Sequence, residues 1–426
     1  MDRRTFLTST GSATGLAVLT SLPAAGYERK GFRTGLALPE VQPMPSKRLA
    51  TGYGVCAHPN FNKATYRHTA AWMERLASMN ASYFRGMYAP NLPSVRLATS
   101  EARKHGLGWL ATVTPEDLQQ SKSELLTRLR HLRDNAADVV IAIEGVNESN
   151  SMSDGSRPSV DWAKRTVAVQ KSIWDFVKAT PALNHVKVVG PSLHATVDTA
   201  RRDHLQLGSL GLQRYFDCAG LHRYFGGRYP NYHIDKRLRW IREAYGHVPT
   251  WVTETGYTNS VDNLTEHKPV PERVSAAYGP LSLLEFAVRG CRSTRYELLD
   301  DPDDGAKNEV ESNLGLWRTR GRKPSTWTEK PEVRVMRKFL ASVKDPGPSY
   351  TPRPIRLKVT GPDEIRSLAV AKRNGNAAVL LWQARAIFDP INRRRIDVAP
   401  VNVRVKTAQS STTVRVPAGE VVKFRL

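Results

Sequence analysis

The chain has 426 residues, 40% of them hydrophobic, with nine tryptophans; that is enough for one large core plus a small module, and it excludes a disordered chain. The formal net charge of +23 speaks for solubility and attraction to polyanions rather than for a fold, and no dense Lys/Arg stripe interleaved with aromatics argues for a nucleic-acid binder. Cys56, Cys218 and Cys291 are too few and too far apart for a disulfide framework, and no CxxC suggests a metal knuckle, so buried free thiols are expected.

Met1-Asp-Arg-Arg-Thr-Phe-Leu-Thr, then Gly15-Leu-Ala-Val-Leu-Thr-Ser-Leu, then Pro23-Ala-Ala-Gly26 follow the order of an export signal: paired arginines, a modest apolar run, small residues at a cleavage point. Arg3-Arg4-Thr5-Phe6-Leu7 resembles the twin-arginine signal. Residues 1–26 are read as this leader, which makes the mature protein secreted or extracytoplasmic. No later run of roughly 18 apolar residues predicts a membrane span.

Residues 27–50, with three prolines, read as a lead-in strap. Strand and helix then alternate. Short apolar runs bounded by turn residues read as buried parallel strands at Thr51–His58, Ala81–Gly86, Gly108–Thr114, Asp138–Ile143, Val186–Gly190, Ala219–His222, Thr250–Glu254 and Thr294–Leu299. Helical stripes lie between them. Trp162, Thr166, Val169, Ile173 and Phe176 repeat at three- and four-residue spacing, as do Ile234, Leu238, Ile241 and Tyr245. Pro115 is expected to open the third helix. The last helix is placed at about 331–343. Eight strand–helix pairs match the α/β class in its (β/α)8 barrel form, over residues 27–344. An open doubly wound sheet is the alternative, but no GxGxxG follows the first strand.

Asp345–Pro354 is a proline-rich linker that neither helix nor central strand tolerates. Beyond it, residues 355–426 show short alternating runs at Ile355–Val359, Ile365–Lys372, Ala377–Trp382, Val401–Lys406, Thr412–Val416 and Val421–Leu426, parted by turn residues. They predict a small all-β sandwich.

Two strands end on chemistry: Ile141-Ala-Ile-Glu-Gly-Val-Asn-Glu148 and Trp251-Val-Thr-Glu254. Carboxylates at C-terminal strand ends occupy the catalytic face of such a barrel. Two of them supply the acid/base and nucleophile that glycoside hydrolysis needs. Glu148 needs a raised pKa to act as acid, which a water-poor pocket beside a second carboxylate provides. Strand alternation places Val252 and Glu254 on one side. Asn147 can bind a sugar hydroxyl. Tyr224 and His222, after strand six, can donate to or orient the glutamates. Arg85, ending strand two, can hold Glu254 or Glu144. His58 and His194 are expected to rim the mouth. A zinc site from His58, His194 and His222 can be drawn but lacks HExxH spacing. Trp317 is a candidate platform for a sugar face, with a core role as the alternative.

Asn147-Glu148, His222-x-Tyr224 and Thr253-Glu254 together resemble the clan A glycoside hydrolases, retaining (β/α)8 enzymes with catalytic glutamates after strands four and seven. Asn313-Leu-Gly-Leu-Trp-Arg and Gly-Arg-Lys-Pro324 also resemble the stretch before that clan's last helix. The resemblance spans about residues 50–344. It implies Glu148 as acid/base, Glu254 as nucleophile, Asn147 on the substrate 2-hydroxyl, Tyr224 on the nucleophile and Arg85 beneath it, with no cofactor. Strand eight departs from the clan, having Tyr296-Glu297 in place of its usual tryptophan. The expected partner is a carbohydrate substrate, with an acidic glycan or the cell envelope as a further one. A degenerate barrel that only binds carbohydrate is the competing reading.

Overall fold

In a computed structural model of the chain, residues 38–61, 65–114, 121–151, 160–194, 199–260, 267–300, 310–319 and 323–426 are described. The leader, Pro115 and the start of the acidic loop at Asp301 fall outside them.

Eight strand–helix pairs follow one another. They are β1 (Tyr53–Cys56) with α1 (Thr69–Ser78), β2 (Tyr83–Met87) with α2 (Pro93–His105), and β3 (Gly108–Thr112) with α3 (Lys122–Ala136). Next come β4 (Val140–Glu144) with α4 (Trp162–Lys178), β5 (Lys187–Val189) with α5 (Ala200–Ser209), and β6 (Ala219–His222) with α6 (Ile234–Tyr245). The last are β7 (Thr250–Thr255) with α7 (Glu272–Ala287), and β8 (Arg292–Arg295) with α8 (Pro331–Val343). The strands form one parallel sheet in the order β5-β4-β3-β2-β1-β8-β7-β6, and a parallel bridge from Val189 to Cys218 joins its two ends. The (β/α)8 barrel expected from the alternation is therefore what the chain forms.

Local chemistry accounts for the elements. In α1 the buried residues Thr69, Trp72, Met73 and Leu76 fall on one helical face. Helix α3 starts at a capping box, Ser121 with Glu124, whose reciprocal bonds satisfy two helix-end amides. Strand eight sits earlier than its apolar residues suggest, because the charges at its start are met elsewhere. Arg292 lies over the Trp251 ring at 4.8 Å, and Arg295 donates to Glu332 of α8. All three cysteines are buried free thiols.

Inside the barrel the Tyr83 ring crosses over Gly54, where an added Cβ would come within 2.2 Å of it. Tyr83 Oη accepts from Trp251 Nε1 at 2.8 Å. Since β2 and β7 are not neighbours in the sheet, this contact spans the lumen. Leu110, Ala142, Val189 and Cys218 complete the layer. Two residues further along β2 and β4, on the same face, stand Arg85 and Glu144.

The C-terminal strands are β9 (Ile355–Thr360), β10 (Ile365–Ala371), β11 (Ala377–Gln383), β12 (Val401–Thr407), β13 (Ser411–Val416) and β14 (Val422–Arg425). They make two four-stranded sheets whose inner faces share Leu357, Val379, Leu381, Val403, Val405 and Val416. The strap contributes to both: Glu40–Val41 pairs with β9 and Met44–Pro45 with β10. Two-residue strands carry no readable period, so the sequence pattern does not disclose them. Helix α7 is buried along nearly its whole length, and its Tyr278 Oη accepts the Ile387 amide N–H at 3.1 Å. No helix among the described residues is long and apolar enough to cross a membrane.

Candidate active site

Strand ends deliver the site. Arg85 on β2 is 6% exposed and spreads one guanidinium over three acceptors. Its Nε meets Glu144 Oε2 at 2.5 Å, Nη1 meets Glu254 Oε1 at 2.7 Å, and Nη2 meets Asn147 Oδ1 at 2.7 Å. Glu144 also accepts from Ser192 at 2.8 Å. Burial pushes the Glu144 carboxyl up, but Arg85 outweighs it and holds the group below the usual carboxylate range. The arginine thus holds the Glu144 carboxyl charged, bonds Glu254 as well and ties the β4 loop to β7.

Glu254 accepts from Tyr224 Oη at 2.8 Å as well. The contacts expected of Arg85 and Tyr224 are both present. Simple alternation on β7 is not. Trp251 faces the lumen and Val252 packs into the outer core, yet Thr253 reaches Ser192 at 2.6 Å and Glu254 reaches Arg85. The β7 register jumps against both neighbours here, from Leu221↔Val252 to His222↔Glu254 and from Ser293↔Val252 to Arg295↔Thr255. A bulge of this kind re-aims side chains, and it puts Thr253 and Glu254 on the same side while Val252 points away.

Glu148 lies four residues past β4, with φ +43°, a left-handed conformation that costs a non-glycine residue about 1–2 kcal/mol. Its amide donates to Ser192 O and its carbonyl accepts from Ser151, each at 2.9 Å, so the turn is fixed from both sides. His222, 1% exposed, places Nδ1 2.7 Å from Glu148 Oε1 and 3.5 Å from Glu254 Oε2. One carboxylate oxygen from each glutamate and a ring nitrogen of His222 all lie within 4.8 Å of one another.

The electrostatics differ from the sequence expectation. Burial pushes the Glu148 carboxyl up, but the hydrogen bond and charge of His222, with His194 and Arg85, hold it below the usual range. Burial pushes His222 down, while Glu254 and Glu148 more than compensate and raise it. In the substrate-free site the proton therefore favours the imidazole over Glu148.

The other candidates separate. His194 is tied beside this group: its amide donates to Asn150 Oδ1 at 2.8 Å. His58 bonds elsewhere, with Nε2 2.8 Å from Glu297 Oε2 and its ring stacked on Phe61 at 4.5 Å. The three-histidine zinc set is thus not assembled. Among the described residues the set with metal-ligand spacing is Glu148, His222 and Glu254, whose atoms are already engaged with one another, Arg85 and Tyr224. Trp317 is corrected to a core residue: it is 4% exposed and paired with Glu329 in a two-stranded ribbon. Sequence reasoning treated Tyr296 only as a departure from pattern. Its ring stands edge-on to both His58 (5.7 Å) and Tyr224 (6.3 Å), so it walls the mouth, and its place directly after β8 was the available signal.

Fold and site together define a (β/α)8 barrel with two glutamates at its C-terminal mouth, bridged by a histidine and steadied by a buried arginine. No family model matches the chain, and no curated protein does either. Among solved structures it is similar to a glucosidase from Croceicoccus marinus, at 11% identity and TM-score 0.55, over 88% of this chain and 82% of that one. It is also similar to a rice Os3BGlu6 β-glucosidase mutant in a covalent complex with Glc, at 11% identity and TM-score 0.51, over 70% and 99%. An FMN-binding β-glucuronidase from Facaelibacterium prausnitzii L2-6 matches at 13% identity and TM-score 0.49, over 86% of this chain. The chain spans 56% of that protein's length. Likeness at 11% identity in the first two shows the fold.

Proposed function

We propose that the protein is a retaining glycoside hydrolase of the clan A type, acting on an O-glycosidic bond of an oligo- or polysaccharide. The observation that carries this reading is the Glu148–His222–Glu254 cluster, in which one carboxylate oxygen of each glutamate lies within 4.8 Å of the other. Inverting enzymes separate their carboxyl groups by about 6.5–9.5 Å to admit a water, whereas retaining ones hold them at about 5–5.5 Å. Glu254, held by Arg85 and Tyr224, attacks the anomeric carbon. Glu148 gives its proton to the leaving oxygen as the glycosidic bond breaks. Glu148 then takes a proton from water, whose oxygen attacks the anomeric carbon and releases Glu254.

A general acid must be protonated, and here Glu148 is held low. An arriving sugar that engages His222 or excludes water from the pocket would return the proton preference to Glu148. The covalent Glc complex of the rice enzyme is in keeping with a double displacement on this fold. The twin-arginine-like leader supports export.

Hydrolysis of an aryl glycoside panel by the purified protein, with Glu148→Gln and Glu254→Gln alongside, tests the assignment. Loss of turnover in both variants, with the product anomer retained by NMR, is the expected result. Undiminished turnover in either variant, or an inverted product, would overturn it.

A further inference from the structure

The outer face of the sheet built by Glu40–Val41, β9, β12 and β13 has a chemistry that the barrel does not use. Alternation sends Leu357, Val403, Val405 and Val416 into the sandwich core. It sends Arg356 and Lys358 of β9, Arg404 and Lys406 of β12, and Arg415 of β13 outward, all of them exposed. The register sets these cations in rows. Lys358 is paired with Lys406 and Thr360 with Arg404 across one ladder. Asn402 is paired with Arg415, and Arg404 with Thr413, across the next. Like charges directly opposite one another in a sheet are destabilising, so Lys358↔Lys406 works against the fold. Among the described residues, the ion pair on this face is Arg356 with Glu40 at the sheet edge, a loose 3.9 Å contact between exposed side chains.

We propose that this face is a docking surface for an anionic polysaccharide, one bearing carboxylate or sulfate groups, which it binds apart from the catalytic mouth. Five exposed cations on one sheet face, interleaved with Thr360, Asn402, Ser411 and Thr413, present charge to the anionic groups and hydroxyl or amide partners to the sugar. Two other polyanions fit less well. The outward positions carry no aromatic ring on which a base could stack. They carry no apolar side chain that could enter a lipid interface. The choice of a glycan over those two draws on the glycosidase reading; the cationic surface itself does not.

The test is retention of the full chain on immobilised polygalacturonate across a salt series. Lys358→Gln/Arg404→Gln/Lys406→Gln is compared with the parent, and duplex DNA, phosphatidylglycerol vesicles and a neutral glucan serve as competitors. The parent should bind with an affinity that falls steeply with salt. The triple variant should lose about tenfold or more and flatten the salt slope by roughly two to three ions. Polyuronate should compete better than DNA or vesicles, and the neutral glucan not at all. Unchanged retention by the triple variant, or stronger competition by DNA or vesicles, would overturn the proposal. Turnover of a small aryl glycoside is read in parallel. Binding without any turnover would sink the hydrolase reading and leave the surface standing, while turnover equal in parent and triple variant shows that lost binding is not misfolding.

Discussion

Glu254 and Glu285 are both buried carboxylates, 8% and 0% exposed, and each meets an arginine at 2.7 Å. Glu285 of α7 sits at the seam with the sandwich. It accepts from Tyr229 at 3.0 Å, from Trp382 at 2.9 Å and from Arg289, which is itself held by Asp235. Every partner is a donor and none competes for the same proton. Glu254 has its donors too, but it also has Glu148 and a histidine shared between them, with Glu148 on strained backbone. Burial and pairing alone therefore do not mark a working site. Two like charges brought together around one proton do.

The sharpest way to break this comparison is to neutralise each carboxylate in turn. Glu254→Gln should lower kcat by on the order of 10⁴–10⁶, the scale of losing a nucleophile, in a protein that still folds. Glu285→Gln should do the reverse. It turns a donor amide toward Arg289 and should cost about 1.5–3 kcal/mol of stability in denaturant titration, with kcat per folded molecule within about twofold of the parent. A large kcat loss at Glu285 would mean that the seam reaches the site, and the distinction would fail.

The same contrast explains what the sequence could disclose. Glu148, Glu254, His222, Tyr224 and Arg85 were legible because each ends or follows an apolar run, and the C-terminal ends of parallel strands converge by the geometry of the barrel. Glu285 was not singled out, because a charge within a helical stripe reads as a solvated face until the sandwich covers it. The β7 bulge escaped for a related reason. Alternation is a property of a regular ladder, and the jump at Thr253–Glu254 is decided by the strands on either side. Trp317 shows the limit from the other direction: a ring beside a candidate cleft and a ring in a core have the same local sequence. The direction of the Glu148 shift was misjudged because burial was weighed without the imidazole lying 2.7 Å away.

That imidazole gives a finer test. The alkaline limb of kcat/KM reports loss of the general acid's proton in the free enzyme. His222 holds the Glu148 carboxyl down against its burial, so in the parent this limb falls early. His222→Gln keeps a hydrogen-bond donor and removes the charge, leaving burial to push Glu148 up. The alkaline limb should move to higher pH, even though kcat at the optimum falls. A limb that stays in place, or moves to lower pH, would separate His222 from the proton balance and reduce it to a packing residue.

The smallest expected effect concerns the backbone under Glu148. Replacing it with Ala or with Gly removes the carboxyl equally, so both variants should lose the acid/base step to the same degree. They should differ in stability. At φ +43° alanine still bears the left-handed cost of about 1–2 kcal/mol, which glycine escapes, while glycine gives back roughly 0.5–1 kcal/mol through its freer unfolded chain. The Gly variant should therefore be the more stable by about 0.5–1 kcal/mol in denaturant titration. Both should also relieve the crowding of two carboxylates around His222, so the difference between them isolates the backbone term. Alanine equal to or better than glycine would mean that the turn fixed by Ser192 and Ser151 relaxes without strain, and that the backbone at Glu148 carries no local cost on behalf of function.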